Sequence, residues 1–194
     1  KDMLFNVNTL VSNMDVTIPG APFKPMAISK QMMPNKISFE MKANMGGQTM
    51  SLMKRNFSGE KGYMEQQGQK MLMSEEEIME AKNVEGIFEE LYYSEDQTEL
   101  LSINSIDGED VYKVKVMKNE KTSYRYYAVE SGYLISIEEE DENKNISSTK
   151  YGDYRSVNGI MMPYFMQVNA GGQNLEFNTS EVMVNTELKD SDFY

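Results

Sequence analysis

The sequence predicts a mainly β protein: a single antiparallel sheet curled into an incomplete β-barrel around a short helical plug. Three observations predict it. Apolar and polar residues alternate with period two, as in Ile37-Ser38-Phe39-Glu40-Met41-Lys42-Ala43 and Tyr112-Lys113-Val114-Lys115-Val116, the pattern of half-buried strands. Turn signals such as Asp107-Gly108 and Asn158-Gly159 separate such runs at short spacings, which favours a meander over crossover connections. Only one segment carries a strong helical signature, too little to cover one face of so long a sheet, so the sheet must curl.

In chain order, residues 3–18 read as a long strand, although Leu4, Val7, Leu10, Val11, Val16 and Ile18 do not alternate strictly. Residues 19–25, Pro-Gly-Ala-Pro-Phe-Lys-Pro, read as a stiff loop. The strand at 37–43 leads into the phrase 44-NMGGQTMSL-52, which returns as 169-NAGGQNLEF-177. In both copies Gly-Gly sits between alternating runs, and both glycines can take φ > 0, so each predicts a two-residue hairpin turn. Alternation restarts at Met50 and Leu52 in one copy and at Leu175 and Phe177 in the other. Convergence on a common turn and an old internal duplication both account for the repeat.

Strands are expected at 49–57 and 61–66, with a turn at Ser58-Gly59 between them. Ser74-Glu75-Glu76-Glu77 then forms a capping box, and its acidic first turn suits the helix dipole. Ile78, Ala81, Val84, Ile87, Phe88 and Leu91 follow at helical spacing, and Asn83 and Gly86 can split the segment into two short helices. Further strands are expected at 99–106, 122–129, 132–140, 146–155, 160–168 and 174–184, with turns also at Lys118-Asn119 and Ser131-Gly132.

The 194 residues suit one domain, 1–194, and suffice for a core. Apolar residues at 40% and charged residues at 26%, with 12 Tyr and 8 Phe, exclude a disordered chain. With 19 basic against 31 acidic residues the net charge is −12, which repels phosphate backbones and anionic headgroups. Without Cys or His the chain contains no disulfide, thiolate nucleophile, Ser-His-Asp triad or His-ligated zinc. No apolar run approaches the roughly 18 residues of a membrane helix. The chain opens Lys1-Asp2 with neither an initiator Met nor a signal peptide, so a trimmed or processed chain is expected.

Methionine is over-represented, at 18 residues, and Met41, Met50, Met162 and Met166 fall on inward-facing strand positions. Flexible thioethers fill cores, and they also line cavities that adapt to varied apolar ligands. The run 138-EEEDENKN-145 holds Asp141-x-Asn143-x-Asn145, which starts like a calcium loop, but Ile146 stands where such a loop needs Gly; it reads as a solvated hairpin tip. Within Tyr124-Arg125-Tyr126-Tyr127, alternation puts Tyr124 and Tyr126 on one face and Tyr127 on the other, a strand-forming pattern before it is a stacking site. Asn56, Asn145 and Asn178 begin glycosylation sequons. No carboxylate pair is marked out for glycoside hydrolysis.

Several phrases together carry a resemblance: 58-SGEKGYMEQQGQKMLMSEEE-77, 111-VYKVKV-116, 124-YRYYAVESGYLISIEEE-140 and 151-YGDYRSVNGIMMPYFMQVNAGGQNLEFNTSEVMVN-185. Over about 35–190 the chain resembles the LolA/LolB-like lipoprotein-carrier superfamily of Gram-negative envelopes, in particular divergent outer-membrane lipoprotein-sorting proteins. It is also similar to a C-terminal domain that follows insulinase-type zinc peptidase domains. The most specific part is Tyr151-Gly152-Asp153-Tyr154-Arg155 with Val157-Asn158-Gly159-Ile160 and Pro163.

The resemblance implies an incomplete barrel wrapped around helices, with an apolar cavity for acyl chains and with no cofactor or catalytic residue. It implies a periplasmic or outer-membrane-associated location. The expected ligand is a lipid or lipoprotein acyl chain. The expected lining of the concave face is Phe39, Met41, Met50, Leu52, Val114, Val116, Ile135, Ile137, Met162, Tyr164, Met166, Leu175 and Phe177. Ile87, Phe88 and Leu91 are expected to plug or gate it. The alternative expectation is an accessory domain that contacts an envelope protein or a covalently linked peptidase domain and has no ligand of its own. Classical carriers control release with an arginine at the cavity mouth, but Arg55, Arg125 and Arg155, the only arginines, sit in no matching motif.

Overall fold

The computed structural model describes residues 2–66, 68–118, 121–140 and 144–194. Its strands are β1 (Thr9–Thr17), β2 (Met26–Met32), β3 (Lys36–Met45), β4 (Gln48–Phe57), β5 (Gly62–Gln66) and β6 (Gln69–Leu72), followed by β7 (Thr98–Ile106), β8 (Glu109–Lys118), β9 (Lys121–Ala128), β10 (Leu134–Glu140), β11 (Ile146–Val157), β12 (Ile160–Ala170) and β13 (Gln173–Val184). Helices are few and short: α1 (Asp2–Phe5), α2 (Glu75–Lys82) and 3-10 turns at Glu89–Leu91, Glu95–Gln97 and Asp190–Phe193. The fold class is the one the sequence predicts.

The strands form one 13-stranded sheet in the order β6-β5-β4-β3-β2-β1-β13-β12-β11-β10-β9-β8-β7. Every neighbour is a sequence neighbour except β1 and β13. Two meanders, β1 to β6 and β7 to β13, therefore join at that one pairing. The sheet is not closed: β6 and β7 are its end strands, and the segment carrying α2 connects them in sequence.

The repeated phrase resolves as two hairpin turns. Gly46 and Gly47 have φ of 62° and 84° between β3 and β4, and Gly171 and Gly172 have 59° and 76° between β12 and β13. Two consecutive positive φ values match the right-handed twist of the flanking strands and exclude most side chains. Asp107-Gly108 and Asn158-Gly159 use the same conformation, with an Asx residue tolerating the first position.

The chain packs as two compact units, one made of Lys1–Tyr92, Arg155–Met162 and Phe177–Tyr194, the other of Tyr93–Tyr154 and Pro163–Glu176. In the first, the register puts Leu10, Met14, Ala27, Phe39 and Met41 on one face, and Phe57 joins them opposite Ile37. Leu10, Met14, Val16, Ala27, Met41 and Phe57 are buried there. The opposite face is covered as well. The turn Asp190–Phe193 packs near β3, burying Phe193, while Lys30 reaches Asp192 and Lys36 reaches Asp190. Thr9, Val11, Ser38 and Asn56 are buried on that second face, where the Ser38 hydroxyl donates to Asn56 Oδ1 at 3.0 Å.

In the second unit the register separates a mixed face from a mainly apolar one. Lys113, Tyr124, Tyr126 and Glu138 share the first with Val111, Ala128 and Ser136, which are buried; Thr98, Leu100, Ile103, Tyr112, Val114, Val116, Tyr127, Leu134 and Ile137 share the second with Arg125. Tyr126 donates its hydroxyl to Glu138 at 2.7 Å, and Lys113 lies 4.4 Å from the Tyr124 ring centre. Burial first, and then the bond to Glu138, push the Tyr126 phenol above the ordinary range.

Several elements differ from expectation. Residues 3–18 begin with α1 and turn into β1 only at Thr9; β2 and β6 are additional strands. The capping box is present as predicted, with Ser74 accepting from Glu77 N–H and Glu77 from Ser74 N–H, but α2 ends at Lys82. Ile87 and Phe88 lie beyond it in irregular chain and Leu91 in a 3-10 turn, because Asn83 and Gly86 interrupt the helical run. Asp141 and Asn143 of the calcium-like run, and Asn119 of one turn signal, lie outside the described residues.

Candidate functional site

The apolar face of the second unit is shaped by two β-bulges. Pairing shifts between Leu100 and Ser102 in β7, and between Leu134 and Ser136 in β10. Each bulge inserts one residue and strengthens the local twist. Between them Thr98, Leu100, Tyr112, Val114 and Tyr127 line an open depression of about 510 Å³. That size falls within the roughly 300–1,000 Å³ typical of small-molecule sites. Its rim is apolar and solvent-facing: Leu100 is 62% exposed and Ile103 61%. Exposed leucine and isoleucine side by side on a half-covered sheet are the kind of patch that marks a binding surface.

Arg125 points to the same face, opposite Val114 and Ile137, and is buried. Its guanidinium lies 5.1 Å from the Tyr93 ring centre, a cation–π contact that compensates part of its desolvation. On β10–β11 the Tyr154 hydroxyl donates to the Leu134 carbonyl at 2.6 Å, and its ring stacks on Tyr133 at 4.5 Å. These contacts brace the strand end beside the second bulge. Tyr154 belongs to the Tyr-Gly-Asp-Tyr-Arg phrase, whose role here is structural.

The sequence-predicted lining divides between the units. Val114, Val116 and Ile137 share the apolar face of the second unit, and Ile135 falls in the bulge itself. Tyr164, Met166 and Leu175 are half-buried on β12 and β13 in the same unit. Phe39, Met41 and Met50 share a face of the first unit. Phe177 meets Phe39 edge-on at 6.4 Å, Met162 is buried, and Leu52 falls at the irregularity between β3 and β4. Ile87, Phe88 and Leu91 are half-buried, also in the first unit.

Of the residues lining the depression, only Val114 was expected. Leu100 was missed because the bulge breaks the alternation of β7. Tyr112 shares parity with Val114 and could have been found by counting its ring as apolar. Among the described residues no group of three or more acidic side chains is placed to hold a metal ion. The sequon at Asn56 is buried in the sheet, 1% exposed, whereas Asn145 and Asn178 are exposed.

No protein-family model matches the sequence, and no curated protein matches it. Solved structures do match. A DUF1329 family protein from Desulfovibrio piger aligns with a TM-score of 0.65 at 11% identity, covering 100% of this chain and 92% of that one. An outer membrane lipoprotein-sorting protein domain from Vibrio parahaemolyticus aligns with a TM-score of 0.61 at 11% identity, over 96% of this chain and 89% of that one. A LolA superfamily protein from Nitrosomonas europaea gives a TM-score of 0.58 at 12% identity, over 97% and 90%. The similarity to a domain that follows insulinase-type peptidases stays a sequence expectation. In fold, this chain is similar to the LolA superfamily and to lipoprotein-sorting domains over nearly its whole length.

Proposed function

We propose that this chain is a non-enzymatic envelope domain that holds an apolar ligand, a lipid or the acyl chain of a lipoprotein, on the apolar face of its second unit. The observation that carries this reading is the open depression under Leu100, Tyr112, Val114 and Tyr127, apolar and exposed on a strongly acidic chain. The likeness in fold to lipoprotein-sorting domains supports the ligand class and the envelope location.

Binding would come from burial of methylene groups, each worth about 0.8 kcal/mol. An acyl chain of about a dozen carbons gives roughly 9 kcal/mol gross, before the costs of association. Half-buried Leu134 and Ile137 continue the face, so the contact surface can extend beyond the depression.

Native mass spectrometry of the purified protein, followed by organic extraction and lipid analysis, tests this directly. A co-purifying fatty acid or phospholipid, displaced by Val114→Trp, is the expected result. A bare mass together with no uptake of a fluorescent fatty acid would refute the reading.

A further inference from the structure

The methionines are not accounted for by the depression, whose lining contains none. The chain has 18 Met and neither His nor Cys, so thioethers are its only soft donors. The register gathers several of them at the β3–β6 end of the sheet, within the first unit. Met41 is opposite Met53; Met53 is opposite Gln66, which makes Met64 its diagonal neighbour; Met64 is directly opposite Met71. Direct partners have Cβ atoms about 4.5–5.5 Å apart and diagonal ones about 7–8 Å, within reach of a side chain with three rotatable bonds.

A second observation adds a sulfur from outside the strands. Gly62 is opposite Phe57 and two residues before Met64, so it lies on this same face. Met73 Sδ sits directly over it, where a Cβ on Gly62 would come within 2.0 Å of the sulfur. Met73, whose N–H donates to the Gly62 carbonyl at 3.0 Å, continues the β6 register by one residue and shares the face of Met64 and Met71. Met71 is 52% exposed, while Met53, Met64 and Met73 are half-buried, so the sulfurs can be reached from solvent.

The charges around the patch are mixed. The acidic first turn of α2, Glu75 to Glu77, follows Met73 immediately. Arg55, opposite Met64, is the opposing charge, and it lies near enough to Glu77 to add to the lowering of that carboxylate, which the Ser74 backbone mainly causes.

We propose that Met64, Met71 and Met73, direct or diagonal neighbours on one face, form a binding site for a soft monovalent cation, Cu(I). Thioethers without imidazole, thiolate or carboxylate partners bind Cu(I) in preference to Zn(II), Mg(II) or Ca(II), which need nitrogen, thiolate or oxygen donors. Packing alone does not require sulfur at these positions, since leucine fills a similar volume. That equivalence separates the two roles.

The test is an anaerobic titration of the purified chain with Cu(I) against the chromogenic competitor bicinchoninate, with X-ray absorption on the loaded protein. The expected result is Cu(I) withheld from the competitor and coordinated by sulfur. Met71→Leu, at an exposed position, weakens binding roughly tenfold or more, and the Met64→Leu/Met71→Leu pair abolishes it with the thermal midpoint unchanged. Met26→Leu, 62% exposed on the opposite face of β2, binds as the parent does. Failure to withhold Cu(I), equal binding by Met71→Leu, or nitrogen and oxygen ligands in place of sulfur would each overturn the proposal. The lipid reading concerns the other unit and stands or falls separately.

Discussion

Leu100→Gln isolates the apolar face from the stability of the sheet that carries it. Leu100 is opposite Val114 on the end strand β7, and 62% of it is exposed. Fully burying a leucine side chain is worth about 1.5–3 kcal/mol. Some three-fifths of that remains for a ligand to gain, so removing it should cost roughly 1–2 kcal/mol of binding. At tenfold per 1.4 kcal/mol, affinity for an acyl ligand falls about 5–30-fold. Folding stability should change by no more than about 0.5 kcal/mol, as for other exposed positions. Glutamine is neutral, so it neither attracts nor repels a carboxylate headgroup. The assay is displacement of a fluorescent fatty acid, with chemical denaturation run in parallel. Leu72→Gln on the other end strand, 79% exposed in the first unit, is the control and should bind as the parent does. Equal affinity of Leu100→Gln and the parent would refute the assignment of the ligand to this face.

Two further predictions concern the first unit. Phe57→Ala removes a ring that is 2% exposed and should cost about 3–5 kcal/mol in urea denaturation, the range for large-to-small changes in a tight core; a loss under about 1 kcal/mol would mean the surrounding strands collapse onto the void. Asp192 is held below the usual carboxylate range chiefly by the hydrogen bond from Lys30, then by the backbone N–H of Lys189. A depressed carboxylate stabilises the fold above its unfolded pKa of about 3.9 and loses that stabilisation as pH falls through the folded value. Asp192→Asn should therefore lower stability at neutral pH and flatten its decline below about pH 4, as read by denaturation at a series of pH values. An unchanged acid limb would show that the C-terminal turn is not latched through this carboxylate.

What could be read from sequence depended on how many faces of a strand are covered. β8 was legible because its residues alternate, with Tyr112, Val114 and Val116 on one face and Lys113 and Lys115 on the other. β1 does not alternate, because Leu10, Met14 and Val16 are buried on one face while Thr9 and Val11 are buried on the other beneath the C-terminal turn. Buried on both sides, it lost the period that marks a strand. β2 was hidden for the opposite reason: Met26 and Ile28 are exposed apolar residues, and Ser29 and Gln31 face the core side. The candidate site suffered from the bulges. A single inserted residue at Leu101, and another at Ile135, reverses the parity of everything after it, so alternation counted along the sequence assigns faces wrongly past that point. The Gly-Gly and Asx-Gly turns were legible because their chemistry is local.

Gly62→Ala probes the patch where sheet geometry and the methionine cluster meet. The added methyl would lie 2.0 Å from Met73 Sδ and 2.8 Å from the Asn56 carbonyl oxygen. The first obstacle is the end of a flexible side chain and can swing away; the second is backbone in the neighbouring strand. Asn56 is 1% exposed and accepts from Ser38, so β4 has little freedom to retreat. Overpacking of this kind typically costs about 1–3 kcal/mol. Combining the change with Met73→Ala should recover only part of the loss, because the clash with the carbonyl survives it. Cu(I) retention should fall in Gly62→Ala itself, since the methyl displaces the Met73 sulfur. Full recovery of stability in the double variant would show that the β4–β5 backbone yields freely and that Met73 alone fills the space over Gly62.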